Sequence, residues 1–394
     1  MKKTHSELWA LVARLHNLQE IFRIQGEILL HGEGTVEPLT ELLLSPPFPF
    51  PEARVAAAEC LGIIGTDHAI DALICVLHHH DMHALTPVQR FAEETVRNAA
   101  ARQLSRFSLP RVADALFASL RQDHLIEAGV ALAQLNDARA LPSLLECLED
   151  DVKKEKATEA LRHFGDAAIP FLQEALRRPR LVEGMEPPIS QERRSRAVAL
   201  LGELGARAAI ADLRRGLRDE ITTVRSECAL ALVALLGLEA QETIPLLIVG
   251  LADPDFLMQT RCEEAVGTLG KPAVPALLQG AQGAPLPLPS GETARLSLRE
   301  RLAALRLFCK LSDLEDPAVS TALCLLLRDQ EEQIRAYAIQ ALGRCSAPHV
   351  RTVLEQTARH DGSQIVKSLA RRTLGLRQKK GWSYHALWRV VALY

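Results

Sequence analysis

The chain has 394 residues, too many for one ordinary globular core, and 48% of them are hydrophobic but only 4% aromatic. Ala and Leu carry most of that apolar content, which suits close helix–helix packing and argues against a sheet-rich fold drawing on Tyr, Phe and Thr. A formal net charge of −3 argues against the molecule as a whole being a polyanion binder, and eight cysteines without a Cys-x-x-Cys pair read as small core residues in a reducing, cytoplasmic setting.

The N-terminal stretch MKKTHSELWALVARLHNLQE has two lysines, but Glu7, Arg14 and Glu20 interrupt its apolar residues, so no signal peptide is expected. No run of about 18 apolar residues occurs, so no membrane span is expected. Two helices are predicted around Leu8–Leu18 and Gln19–His31, capping one end of the fold (residues 1–35) with Leu8, Trp9, Val12 and Leu15 turned inward.

From Val36 the same apolar phrase returns along the chain: VEPLTELLL from Val36, ALPSLLECL from Ala140, AIPFLQEAL from Ala168, TIPLLIVGL from Thr243 and AVPALLQGA from Ala273. Variants without the proline begin at Ala69, Arg111, Ala209, Ala318 and His349. Each reads as a helix, with Pro near the first turn, where its missing N–H costs nothing. Most are followed by a second phrase, R/K-x-x-A-x-x-x-L-G with some drift, as in RVAAAECLGIIG, KATEALRHFG, RAVALLGELG, RCEEAVGTLG and RAYAIQALG. Its apolar spacing is helical and its glycine is placed for a C-cap. About ten such pairs fill residues 36–377. Repeats of this length bury their apolar faces against neighbours, so an all-α right-handed solenoid is predicted, with first helices outside and second helices lining the inner layer.

An Asp stands six positions before the cation of several second helices: Asp150–Lys156, Asp219–Arg225, Asp255–Arg261, Asp329–Arg335 and Asp361–Lys367. Such an Asp can cap the helix, and the cation can reach the carboxylate of an adjacent unit, giving a structural ladder through the stack.

This pattern resembles HEAT repeats, and most nearly the short bacterial HEAT-like type also found in phycobilisome lyase subunits. The resemblance spans about Val36 to Arg377 and rests on packing residues. It implies a HEAT-type, armadillo-like superhelix, and says little of function.

Four departures from the repeat stand out. Long links join first to second helix at Ser45–Pro51, His78–Pro87, Arg178–Ser190 and Gly280–Glu292, one equivalent position in four units. The second link holds His78, His80 and His83, candidate metal ligands, although neighbouring imidazoles at a helix end diverge and a solvated terminus is the plainer reading. Arg193, Arg194, Arg196, Arg214, Arg215 and Arg218 form a local basic region. From Gly362 onward there is no Asp or Glu, and Lys379, Lys380, Trp382, Tyr384 and Trp388 mark residues 378–394 as a basic, aromatic cap or tail. Of these, Arg193, Arg194 and the five tail residues are the candidate partner contacts.

No chemistry is legible. There is no His-Glu dipeptide, the ligand pair repeated in the HEAT-like diiron enzyme deoxyhypusine hydroxylase, and no His-Glu-x-x-His, Gly-x-Ser-x-Gly or phosphate loop. The sequence therefore predicts a monomeric protein-binding scaffold or adaptor without catalysis, metal or cofactor. The alternative is an accessory subunit, phycobilin-lyase-like or chaperone-like, acting on a cofactor-bearing protein. Nucleic-acid binding through basic patches ranks third.

Overall fold

A computed structural model describes residues 4–46 and 51–378. Among the described residues the regular structure is helical apart from one short antiparallel hairpin, β1 (Leu286–Pro287) with β2 (Thr293–Ala294), and an isolated bridge between Val182 and Met185. The chain divides into two compact units between Ala206 and Arg207.

In the first unit helices alternate as pairs. They are α1 (His5–Ala13) with α2 (Ile21–Leu29), α3 (Val36–Leu43) with α4 (Glu52–Ile64), and α5 (Asp67–Val76) with α6 (Pro87–Leu104). Then come α7 (Pro110–Asp123) with α8 (Ile126–Gln134), α9 (Leu141–Cys147) with α10 (Lys154–Phe164), and α11 (Ile169–Arg177) with α12 (Pro188–Glu203). The second unit continues with α13 (Ile210–Gly216) and α14 (Thr222–Leu236), α15 (Ile244–Val249) and α16 (Phe256–Leu269), and α17 (Val274–Ala281) and α18 (Leu298–Leu311). It closes with α19 (Pro317–Leu326) and α20 (Glu332–Leu342), then α21 (Pro348–His360) and α22 (Gln364–Gln378). In the second unit the later second helices, α18, α20 and α22, approach one another more closely than the first helices α15, α17, α19 and α21 do.

Local chemistry sets these boundaries. Pro142, Pro170, Pro245 and Pro275 sit in the first turn of α9, α11, α15 and α17. After α14 and α16, Gly237 and Gly270 take φ of 55° and 62° with ψ near −126° and −131°, a region open only to glycine, and so reverse the chain into the next unit. At the N-terminus α1 starts earlier than the hydrophobic spacing suggests, because the Thr4 N–H donates to Glu7 Oε2 at 2.7 Å and fixes the first turn. Leu8, Val12 and Leu15 are buried there; Trp9 is only half-buried, its Nε1–H donating to His5 Nε2 at 3.0 Å.

The buried pair of the second helix gives the true repeat register. It is Ala57/Leu61, Ala100/Leu104, Ala128/Leu132, Ala157/Leu161 and Ala197/Leu201 in the first unit. In the second it is Cys228/Leu232, Cys262/Val266, Ala304/Phe308 and Ala338/Leu342. Each fully buried Leu contributes about 1.5–3 kcal/mol. Two cysteines thus stand where other units use Ala, and burial pushes the Cys262 thiol up to about 12, as it does Cys60 and Cys309. The register corrects the sequence alignment. The position three residues before the buried small residue is held by Lys154, Arg194 and Gln259, so Lys156, Arg196 and Arg261 lie two residues further along their helices.

Candidate functional site

The leading position of the second helix carries a recurring arginine device. Its guanidinium turns back onto carbonyls at the end of its own first helix or in the turn that follows it. Arg54 Nε donates to Leu43 O at 2.8 Å, Arg194 Nε to Leu176 O at 3.1 Å, Arg301 Nη2 to Ala281 O at 3.0 Å and Arg335 Nη1 to Asp329 O at 2.9 Å. Arg225 does the same to Asp219 O and Glu220 O, at 2.6 and 2.9 Å.

Several of these arginines also reach the next unit. Arg335 forks onto both oxygens of Asp361 at 3.0 and 3.1 Å, and Arg301 pairs with Asp329. In the first unit Arg97 reaches Asp123 at 3.0 Å, and Arg54 reaches Glu93 on α6 at 2.5 Å, so that Arg54, Glu93 and Arg97 form a charged cluster with almost no solvent access. A second tier runs beside it: Lys156 meets Glu127, and Arg261 forks onto Glu227 at 2.6 and 2.8 Å. The aspartates close the turns before the second helices. Asp219, Asp329 and Asp361 accept from the N–H two residues on, and Asp255 caps α16 by accepting from Leu257 N–H at 3.0 Å. The Asp–cation spacing was legible in the sequence; the arginine-to-carbonyl contact was not, its only signal being an Arg at a fixed distance ahead of the buried Ala.

The candidate contact residues fall in different surroundings. Arg193 and Arg194 are buried. Arg194 Nη1 donates to Glu186 at 2.7 Å, and burial holds the Arg193 guanidinium below its ordinary range, with its Nε 3.2 Å from Glu149 but off the line a hydrogen bond needs. His78 Nε2 lies 3.2 Å from Ser119 Oγ, and His80 Nε2 lies 3.3 Å from Ser45 O. His83 lies in a single turn, Met82–Ala84. Among the described residues no three His, Cys, Asp or Glu side chains are grouped to hold a metal ion. Lys379, Lys380, Trp382, Tyr384 and Trp388 lie outside the described residues.

The third link holds a feature the sequence did not single out. Val182 and Met185 exchange backbone hydrogen bonds at 2.8 and 3.0 Å across Glu183 and Gly184, both at positive φ, making a tight two-residue hairpin. Its base is pinned: Glu186 accepts from Ser190 at 2.7 Å and from Arg194, and Arg180 pairs with Glu149 at 3.0 Å. The pinned hairpin points Leu181, Val182 and Met185 into solvent, Met185 at 73% exposure. Ile189 at the start of α12, Val152 before α10, and Val88 and Phe91 in the first half of α6 are exposed as well. So are Phe256, Leu257 and Ile365 in the second unit.

The description "PBS lyase HEAT-like repeat" fits the chain at residues 53–78, 125–150 and 154–178, which are α4 with α5, α8 with α9, and α10 with α11. These helix pairs carry HEAT-like repeats. Among solved structures, Kap95p in its complex with RanGDP is similar to the HEAT-repeat chain at 11% identity and a TM-score of 0.50, over 94% of this chain and 55% of that one. Human deoxyhypusine hydroxylase matches at 19% identity and TM-score 0.26, over 81% of this chain and 99% of that one. The CpcE–CpcF complex of phycocyanin lyase from Nostoc sp. PCC7120 matches at 18% identity and TM-score 0.25, over 87% and 94%. No curated protein matches the sequence. At 11% identity the likeness to Kap95p speaks for the helical-repeat fold alone. Among the described residues no helix is long and apolar enough to cross a membrane.

Proposed function

We propose that this HEAT-repeat protein is a protein-binding scaffold whose partner docks on the edge carrying the first-to-second-helix links. In that reading residues 1–35 cap the array, 36–377 form it, and 378–394 are a tail. One observation supports it above others: the 181–185 hairpin exposes three large apolar side chains while hydrogen bonds and ion pairs fix its base. Apolar side chains held in water cost solubility without aiding the fold, and a pre-ordered tip loses little entropy on binding. Affinity purification of the full-length protein from its host, with mass spectrometry of what stays bound at moderate salt, tests this. One dominant stoichiometric protein is expected, lost when Leu181, Val182 and Met185 are changed to Ser. Retention of the same protein by that variant overturns the proposed edge.

The family description favours a second reading, an accessory subunit that handles a cofactor-bearing protein. Co-expression with a bilin source and a phycobiliprotein subunit checks it: pigment attached only when this chain is present supports it, and unchanged attachment sinks it.

A further inference from the structure

We infer that the second helices α18, α20 and α22 form a docking strip for an extended acidic peptide segment. The inference rests on the scaffold reading and adds the chemistry of the recognised partner, on a different surface from the 181–185 hairpin.

The register puts the relevant side chains in one place. Five and nine residues beyond the leading position come Arg306 and Lys310 on α18, Gln340 on α20 and Arg344 in the turn just after it, and Arg372 on α22, with Arg371 beside it. A spacing of four keeps Arg306 and Lys310 on one helix face. The three helices are neighbours, α18 against α20 and α20 against α22. All five cations are exposed. Glu263 on α16 takes Arg306 at 2.8 Å and Lys310 at 3.5 Å, which confirms that this face continues from helix to helix. Arg344, Arg371 and Arg372 make no ion pair among the described residues. Other arginines, such as Arg102, Arg121 and Arg207, are exposed too, but Arg344 and Arg372 fall at register positions of neighbouring second helices.

Charge complementarity selects the occupant. Packed helices lie about 8–10 Å apart and an extended chain rises about 3.3 Å per residue, so a carboxylate at every third residue meets one helix after another. Gln340 and the half-buried Tyr337 offer polar groups between the cations. A nucleic acid fits less well. The chain carries a net −3, which repels a long polyanion, whereas a short segment senses charges within about 8 Å. Bases also find no exposed aromatic platform on the described strip.

The test uses full-length protein and a fluorescent peptide repeating Glu-Ser-Ser about five times, matched to the helix spacing. Binding that weakens with salt and exceeds that of the Lys-Ser-Ser counterpart is expected. Arg344→Glu/Arg371→Glu/Arg372→Glu should weaken it about tenfold or more, the triple Lys variant should retain it, and Arg102→Glu/Arg106→Glu, at the end of α6 and just beyond it, should leave it unchanged. A triple Gln variant, with its thermal midpoint, is measured alongside; loss of binding at an unchanged midpoint supports the strip. Equal binding by the wild type and the folded triple Gln variant overturns the inference, as does tighter binding of an oligothymidylate of equal length. A partner captured through the 181–185 hairpin in the same preparations would leave the scaffold reading standing while this one fell.

Discussion

The two units use one repeat grammar with opposite charge balance. Residues 1–206 hold 22 Lys and Arg against 29 Asp and Glu, while residues 207–394 hold 24 against 20. In the first unit the arginine device is closed in: Arg54, Glu93 and Arg97 are 4%, 0% and 3% exposed at their side chains. In the second unit the equivalent pairs Arg301–Asp329 and Arg335–Asp361 stand nearer to water. The comparison teaches that an arginine at one register position can be an internal strut or a half-open clasp, and that neighbouring helices decide which.

The sharpest way to break this comparison is to remove the shared anion of each unit. Glu93→Ala leaves the buried Arg54 guanidinium without a counter-charge and Arg97 with Asp123 alone, and should cost about 3–5 kcal/mol in denaturant unfolding. Asp361→Ala, whose partner Arg335 keeps its carbonyl contacts and some solvent, should cost about 1–2 kcal/mol. Equal losses would refute the distinction.

A smaller effect sharpens it through packing. Gly62 and Gly267 occupy the same place, eight residues beyond the leading position, on α4 and α16. A Cβ at Gly62 would come 2.5 Å from the Cβ of Gln103, whereas one at Gly267 meets nothing within 4 Å. Gly62→Ala should therefore lose about 1–3 kcal/mol by overpacking, and Gly267→Ala should gain about 0.5–1 kcal/mol in thermal or denaturant melts.

The smallest effect concerns pH. A hydrogen bond from Lys154, with help from Arg196, holds the Glu192 carboxyl below its ordinary range. A lowered folded-state pKa stabilises above the unfolded value of about 4.3 and loses that contribution as pH falls through the folded one. Glu192→Gln should cost a few tenths of a kcal/mol at pH 7, since the pair is partly exposed, and the difference from wild type should vanish in acid once the folded carboxyl is protonated. A difference that persists in acid would assign the effect to packing.

Much of the fold was legible because it is local and repeated. The proline phrases mark first helices, and the Ala-to-Leu spacing marks the second. The glycines were read less well: Gly237 and Gly270 end helices as expected, but Gly62 lies within α4 and serves close approach to α6, with Gly65 making the turn. The candidate surfaces were less legible still. Arg193 and Arg194 looked like a surface patch, and nothing local showed that Glu149 and Glu186 would be folded over them. The apolar hairpin at 181–185 was seen only as a long link, since exposure depends on what packs nearby.

By itself the sequence determined the helical repeat, because helix starts, stops and apolar faces depend on spacings of a few residues. Only the tertiary structure decided which cations are struts and which face water. That follows from contacts between residues some 25 to 45 positions apart, such as Arg335 with Asp361 and Arg54 with Glu93, where a shift of two residues moves a charge from the core to the surface.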